Sequence, residues 1–431
     1  MKNLKITFVY LTIIVSLPVG WTNAQDWPQF LGPDRNSTSP QKGLLRSWPD
    51  SGPEVLWSKD LGIGYGGPVV KNGEVFLLDR DDDTGDVMRC FDLRTGEELW
   101  KYGYESPGTL PSPGSRSVPV VDDRHVYSVG GNGDLYCFDI KTHQPVWKKN
   151  IWKDFGGDNV PMWGISQCPL IYGDLLITAS QAPQAGVVAY DKHTGALVWQ
   201  TPNLGNIAYV SPKVIKLHGE DQIVYITSKT NGYTHGNDPV TNGNVTGIDP
   251  RSGKTLWQYA DWGCVISIPC AVDAGENKLL ITGGYDQGTT MLQINKNADG
   301  AFEAAVVFTT LEFEEQTKPP LLYNGYFYGM FGTNSKREGL VCMDMNGQIM
   351  WKTRRSPNFD KGSMILADGL ILATDGMKSL YLIEPDPSAF KTVSKADIFE
   401  GGSQNWAPIA LADGKLLIRD QKKMLCIKVA E

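Results

Sequence analysis

The stretch Cys90-Phe91-Asp92-Leu93-Arg94-Thr95-Gly96-Glu97-Glu98-Leu99-Trp100 decides the fold. It reads as strand, tight turn, strand. The Asp92 carboxylate is placed to accept from backbone N–H groups two and three residues on, as an Asx-turn. Gly96 supplies the positive φ that such a turn demands. Leu99 and Trp100 begin the return strand. The pattern recurs at Cys137…Asp139…Trp147, at Ala189…Asp191…Gly195…Trp199, at Gly247…Asp249…Gly253…Trp257 and, shortened, at Cys342…Asp344…Gly347…Trp351. Val55–Lys59, with Trp57, looks like the return strand of one more copy whose earlier strands are missing. The tryptophans recur at roughly 40–50 residues, the last step covering about two periods; this repeat length marks four-stranded propeller blades.

Working outward, each copy is preceded by a short hairpin. The inner strands open at Pro68, Pro119, Pro169, Pro212, Pro269, Pro320, Met364 and Pro408. Proline is tolerated at a first strand position because no ladder donor is lost there. Turn signals such as Asn72-Gly73, Asn324-Gly325, Asp368-Gly369 and Asp413-Gly414 join the hairpins. The eighth copy, ending at Lys423–Lys428, is one strand short. Val55–Lys59 is expected to complete it and close the ring, which leaves only short outer edges. The expectation is therefore an all-β, eight-bladed propeller over residues 54–431, one domain, with an extended arm over 25–53 whose aromatics dock on the body.

Residues 1–24 read as a targeting segment. Lys2 and Lys5 precede the apolar run Ile6–Val19, and Thr22-Asn23-Ala24 fits a cleavage site. The run is short of the roughly 20 apolar residues that a span needs, and no lipidation Cys follows Ala24. A periplasmic or secreted monomer, without a transmembrane segment after signal removal, is expected. Losing the two lysines would take the formal charge from −8 to −10, an acidity that disfavours nucleic acid.

The seven cysteines suit filling rather than bonding. Cys90, Cys137 and Cys342 each stand two residues before a repeat Asp, and Cys426 takes the matching place in the last blade. Equivalent positions in different blades lie beyond the reach of a disulfide, about 7 Å between Cα atoms. Cys264 and Cys270 could meet at one blade edge. No Cys or His cluster suggests a metal, and no phosphate loop, nucleophile elbow or helical zinc motif is present. Asp79–Asp86 resembles a Ca2+ loop at first sight, but its Gly falls late and no closing Glu follows; it reads better as an acidic exposed hairpin loop. Lys229–Gly247 is the longest insertion in the ring.

Propeller ligands usually meet the loops that enter the innermost strands. Here those loops bring Tyr65, Arg116 with Ser117, Trp163 with Gln167, Tyr209, Ser267, Lys318, Lys361, and Asn405 with Trp406. Three cations and two indoles on one face of an acidic protein suit carboxylate or phosphate groups and flat or sugar rings. The competing expectation is that Trp163 and Trp406 only plug the channel.

The repeat resembles the tryptophan-docking motif of pyrroloquinoline-quinone-type propellers: small residue, x, Asp, x, x, Thr, Gly, x, x, x, Trp. The match is fullest at Asp92, Gly96 and Trp100 and at Asp191, Gly195 and Trp199; it extends to Asp249 and Trp257, to Trp147, and to Asp344 and Trp351. The resemblance implies that each Trp stacks on the turn of the neighbouring blade. The family holds quinone-dependent alcohol dehydrogenases and non-enzymatic scaffolds of outer-membrane β-barrel assembly. In the dehydrogenases the quinone sits between a Trp floor and a disulfide of adjacent cysteines, with Ca2+ and a catalytic Asp nearby. This chain has no adjacent Cys pair and lacks the length of their insertions. The expectation is a binding or scaffold protein that takes a small molecule, carbohydrate or protein at the channel mouth, without cofactor. The alternatives are a dehydrogenase using pyrroloquinoline quinone (PQQ) with Ca2+, and a carbohydrate-binding or polysaccharide-processing protein.

Overall fold

The computed structural model describes residues 25–81, 83–108, 113–229, 241–332, 336–401 and 404–431. Residues 1–24, read from the sequence as a targeting segment, and most of the Lys229–Gly247 insertion lie outside the described residues, as does Asp82. Eight four-stranded antiparallel blades, numbered 1–8 in chain order, form the ring, and the sheet of blade 7 carries a fifth strand from the arm. Blade 1 runs from channel to rim through Val69–Lys71, Glu74–Asp81, Gly85–Asp92 and Glu98–Glu105. The middle strands of each blade are sandwiched between neighbouring blades, so they read as continuous apolar runs; His125–Val129 in blade 2 is buried throughout. Rim strands have one solvent face and alternate instead, as Glu98–Glu105 does.

Blade 8 combines Ala410–Ala412, Lys415–Arg419 and Lys423–Lys428 with the N-terminal strand Val55–Asp60. The register puts Trp57 opposite Cys426. The same register pairs Cys90 with Trp100, Cys137 with Trp147, Ala189 with Trp199, Gly247 with Trp257 and Cys342 with Trp351. Every thiol is buried and free, including those of Cys264 and Cys270. A small residue is required under each indole, and Cys meets that requirement as Ala and Gly do.

The indoles tie successive blades together. Trp57 lies on Gly96 and donates through Nε1 to the Leu93 carbonyl at 2.9 Å, which joins blade 8 to blade 1. Trp147 lies on Gly195 and donates to Lys192 O; Trp199 lies on Gly253 and donates to Pro250 O. Trp351 donates to Asp386 O across the blade 6–7 boundary. Where glycine is replaced by His143, the chain still takes φ 61°, and Trp100 stacks on the imidazole at 5.2 Å. The turns are closed as read: Asp92 Oδ1 accepts from Arg94 N and Thr95 N, Asp191 Oδ1 from His193 N and Thr194 N, and Asp344 Oδ1 from Asn346 N. Asp249 Oδ1 accepts from Arg251 N. Trp257 departs from the series. It packs over Gly247 of its own blade and donates to Gln222 Oε1 at 2.7 Å, because the following blade has no matching Asp–Gly turn to receive it. Phe308 takes over one boundary later, resting on Gly347.

The arm crosses the ring. Trp27 exchanges both backbone hydrogen bonds with Val70 in blade 1, and Pro28 O accepts from Val121 N in blade 2. The buried Arg35 guanidinium donates to Pro169 O and Cys168 O in blade 3. Thr38–Ser39 then adds in parallel to the innermost strand of blade 7, Met364–Ala367, and Leu44 bridges Ala430 beyond blade 8. These innermost edges carry unpaired backbone groups facing the channel, and the arm supplies their partners.

The acidic hairpin Asp79–Asp86 is corrected by the structure. Asp86 and Arg80 form an ion pair at 2.9 Å with both side chains fully buried, and Asp79 is buried against Arg89 at 3.0 Å. The cross-strand arginines draw these carboxylates inward. Asp81 serves the turn, accepting from Asp83 N and Thr84 N.

Candidate functional site

A cavity of about 390 Å3 occupies the channel at the end where the chain enters the innermost strands. Phe30 of the arm, Tyr65, Arg116, Trp163, Tyr209, Lys318, Lys361 and Trp406 all reach its wall. The two indoles are only half-buried, so they line the space rather than fill it.

Local backbone bonds set these side chains. Tyr65 N donates to Ser115 O, and Tyr209 N to Ser267 O, each linking one entry loop to the next. Tyr65 and Trp406 stack at 5.8 Å, with the Tyr65 hydroxyl donating to Gln404 Oε1. Arg116 lies over the Tyr65 ring at 5.7 Å, and the Lys361 ammonium over Trp406 at 4.8 Å. Trp163 meets Tyr209 edge to face at 5.6 Å. Burial pushes the Tyr209 phenol up to about 12, so it is a neutral hydrogen-bonding group at neutral pH.

Not every predicted residue arrives. In the entry loops successive side chains point alternately into the channel and between the blades. Ser166 and Cys168 line the cavity, while Gln167 between them turns into the body and donates to Ala208 O. Ser117 and Ser267 do the same, bonding Gln167 O and Thr227 O. Asn405 is fully buried beside the lining Trp406. Besides Ser166 and Cys168, further contributors escaped the sequence reading. Phe30 comes from the arm. Tyr285 comes from the turn between the middle strands of blade 5, and Gln316 donates to its hydroxyl. Ile266 and Ile268 flank the inward Ser267. The Gly283-Gly284-Tyr285 run was the available signal: an aromatic on a glycine turn at the same end of the ring.

The cationic side is concentrated on blades 6 and 7. Lys318 is 7 % exposed, and its ammonium donates to Lys361 O at 3.2 Å and Thr317 Oγ1 at 3.4 Å. Burial lowers its pKa to about 8, against the pull of Glu315. Burial also raises the Glu315 carboxyl well above its usual range, although the Met330 N–H donates to it. Lys361 pairs with Asp360 at 3.2 Å. Among the described residues no group of three or more His, Cys, Asp or Glu is placed to hold a metal. No helix among them is long and apolar enough to cross a membrane.

Residues 83–261 match the family model described as outer membrane protein assembly factor BamB. The chain is 29 % identical over 157 residues to quinoprotein alcohol dehydrogenase PedH of Pseudomonas putida, covering 33 % of this chain and 24 % of that one. It is 23 % identical over 345 residues to lupanine 17-hydroxylase [cytochrome c] of a Pseudomonas species, covering 72 % and 46 %. The chain thus spans less than half the length of these curated relatives. Among solved structures, a europium-containing methanol dehydrogenase superposes with a TM-score of 0.64 at 14 % identity, over 91 % of this chain and 89 % of that one. BamB from Moraxella catarrhalis superposes with a TM-score of 0.56 at 13 % identity, over 86 % and 96 %. In repeat and register the chain is an eight-bladed propeller, similar to PQQ-type quinoprotein alcohol dehydrogenases and, over residues 83–261, to the BamB family model.

Proposed function

We propose that this chain is an exported binding protein whose channel mouth takes a small, flat, negatively charged ligand. One observation carries the reading: a single cavity brings Lys318, Lys361 and Arg116 together with Phe30, Tyr65, Trp163, Tyr209 and Trp406. Ring faces would hold the flat part, and the cations its carboxylate or phosphate. Export rests on the charged and apolar N-terminal segment.

The quinone-linked reading is favoured by the names of the relatives, and a planar anionic ring would suit these walls. The Ca2+ half of that assembly does not fit the described residues. No Asp or Glu is among the residues that line the cavity, and among the described residues no group of three or more His, Cys, Asp or Glu is placed to hold a metal.

The test is a thermal-shift panel of aromatic mono- and dicarboxylates, followed by titration of the intrinsic tryptophan fluorescence. Aromatic dicarboxylates such as naphthalene-2,6-dicarboxylate are expected to bind saturably. Lys361→Met should weaken them roughly tenfold or more, since a charge-assisted contact contributes about 1.5–3 kcal/mol. A panel in which neutral oligosaccharides bind and aromatic anions do not would move the chain to the carbohydrate class.

A further inference from the structure

We propose that Lys318 is a reactive amine that forms an imine with an aldehyde or ketone bound in the channel cavity. The idea rests on the binding reading above and adds covalent chemistry to it. Lysine is an ordinary protonated cation unless its surroundings disfavour the charge. Three features of the site do so. The side chain is almost fully withdrawn from water, yet it reaches the cavity wall. Its nitrogen has only two partners among the described residues, a backbone carbonyl and a hydroxyl, at 3.2 and 3.4 Å. No carboxylate oxygen of the described residues lies within the 4 Å of an ion pair, whereas Lys361 has Asp360. The charged groups that face it are Glu315, Lys361 and Asp360, the second of them a like charge. Desolvation beside another cation is how amines are made nucleophilic at neutral pH.

The surroundings also select the partner. Lys361 sits over Trp406 at 4.8 Å next to the amine, so the carbonyl compound would carry an anionic group and a ring. In the step itself the neutral Nζ adds to the carbonyl carbon, giving a carbinolamine. The carbonyl oxygen then leaves as water with two protons, and a C=N bond replaces C=O. No oxidant or reductant is consumed.

Pyridoxal 5′-phosphate has the ring, the aldehyde and the anion, and serves as the probe. The full-length protein is incubated with it across pH 6–11, reduced with borohydride, digested and mapped by mass spectrometry. Saturable labelling of Lys318 is expected, at least tenfold faster at pH 8 than that of the exposed Lys42, with a midpoint near 8 rather than the roughly 10.4 of an ordinary lysine. Lys318→Arg should keep the charge and the melting temperature and abolish that label. Lys361→Met should shift the midpoint of the remaining label upward by removing the neighbouring cation. Labelling of Lys318 no faster than of Lys42, or a midpoint near 10, would overturn the proposal. Naphthalene-2,6-dicarboxylate, which has no carbonyl open to an amine, separates the two ideas. If it binds saturably and Lys318 is not labelled, the imine is wrong and the binding site stands. If it does not bind and Lys318 is labelled, the imine stands and the aromatic-anion preference is wrong.

Discussion

Gly195 and Gly43 hold almost the same backbone angle, φ 70° and φ 73°, and differ in what stands over them. A Cβ on Gly195 would lie 2.7 Å from the Trp147 indole, whereas one on Gly43 would meet nothing within 4 Å. Ala at Gly43 should therefore cost only the backbone strain, about 1 kcal/mol. Ala at Gly195 should cost that plus the displacement of an indole, roughly 2–4 kcal/mol in total. Urea unfolding of the two variants measures the difference, and equal losses would mean that the girdle is not held by the Trp–Gly contact. Trp100→Ala should cost roughly 3–5 kcal/mol as a buried aromatic truncation. Its cross-strand partner Cys90 should tolerate Ala within about 1.5 kcal/mol, because only a small residue is needed there. The residue scale was also the most legible one. Asp92, Thr95, Gly96 and Trp100 form a local signal whose partners lie within a few positions. The direction of a side chain in an irregular loop is not local in that way, so Gln167 was read as lining the channel and its neighbour Ser166 was passed over.

Among elements, the strand Val55–Asp60 and the arm before it make different contributions. Deleting residues 25–59 removes the rim strand of blade 8, exposes the edge of Lys423–Lys428 and unlinks Trp57 from Gly96. Aggregation or loss of cooperative unfolding is expected, read by size-exclusion chromatography and calorimetry. Deleting only residues 25–53 keeps the closing strand, so the ring should still close, at a lower melting temperature and without Phe30 in the lining of its cavity. A monomeric 25–59 deletion with an unchanged melting temperature would show that closure by this strand is dispensable. Closure could be read from the sequence because blade 8 was one strand short and Val55–Lys59 was one strand over. The arm's route could not. Its partners, Val70, Val121, Pro169 and Leu366, are exposed edges of four different blades, and no periodicity in residues 25–53 encodes which edge each residue will meet.

For the molecule as a whole, buried carboxyls set how stability follows pH. Burial raises Asp86 from 3.8 to about 6 even though Arg80 is paired with it. The folded chain thus holds that proton more tightly than the unfolded chain does. Its contribution is complete below about pH 4 and is lost as the pH rises through 6, a change of about 3 kcal/mol for two units of pKa. Glu315 acts in the same direction. Lys318, lowered to about 8, acts at the alkaline end: its cost is present below 8 and fades toward 10.5. Melting should therefore occur at higher temperature at pH 5 than at pH 7.5, and Asp86→Asn should flatten that slope, as scanning calorimetry at the two pH values would show. The composition gave no hint of this, because a formal charge of −8 counts Asp79 and Asp86 as surface groups. Pairing with Arg80 and Arg89 across the hairpin is a property of the folded register.

The arm also decides how traffic through the ring can run. With Arg35 bonded to blade 3 and Thr38–Ser39 paired to blade 7, the arm runs from one side of the wheel to the other, and its Phe30 joins the lining of the channel cavity. An arm so placed would make the mouth both entrance and exit, so that arrival and departure exclude each other in time. Such an arrangement would seat a chain end or a detached small molecule in preference to a threaded polymer.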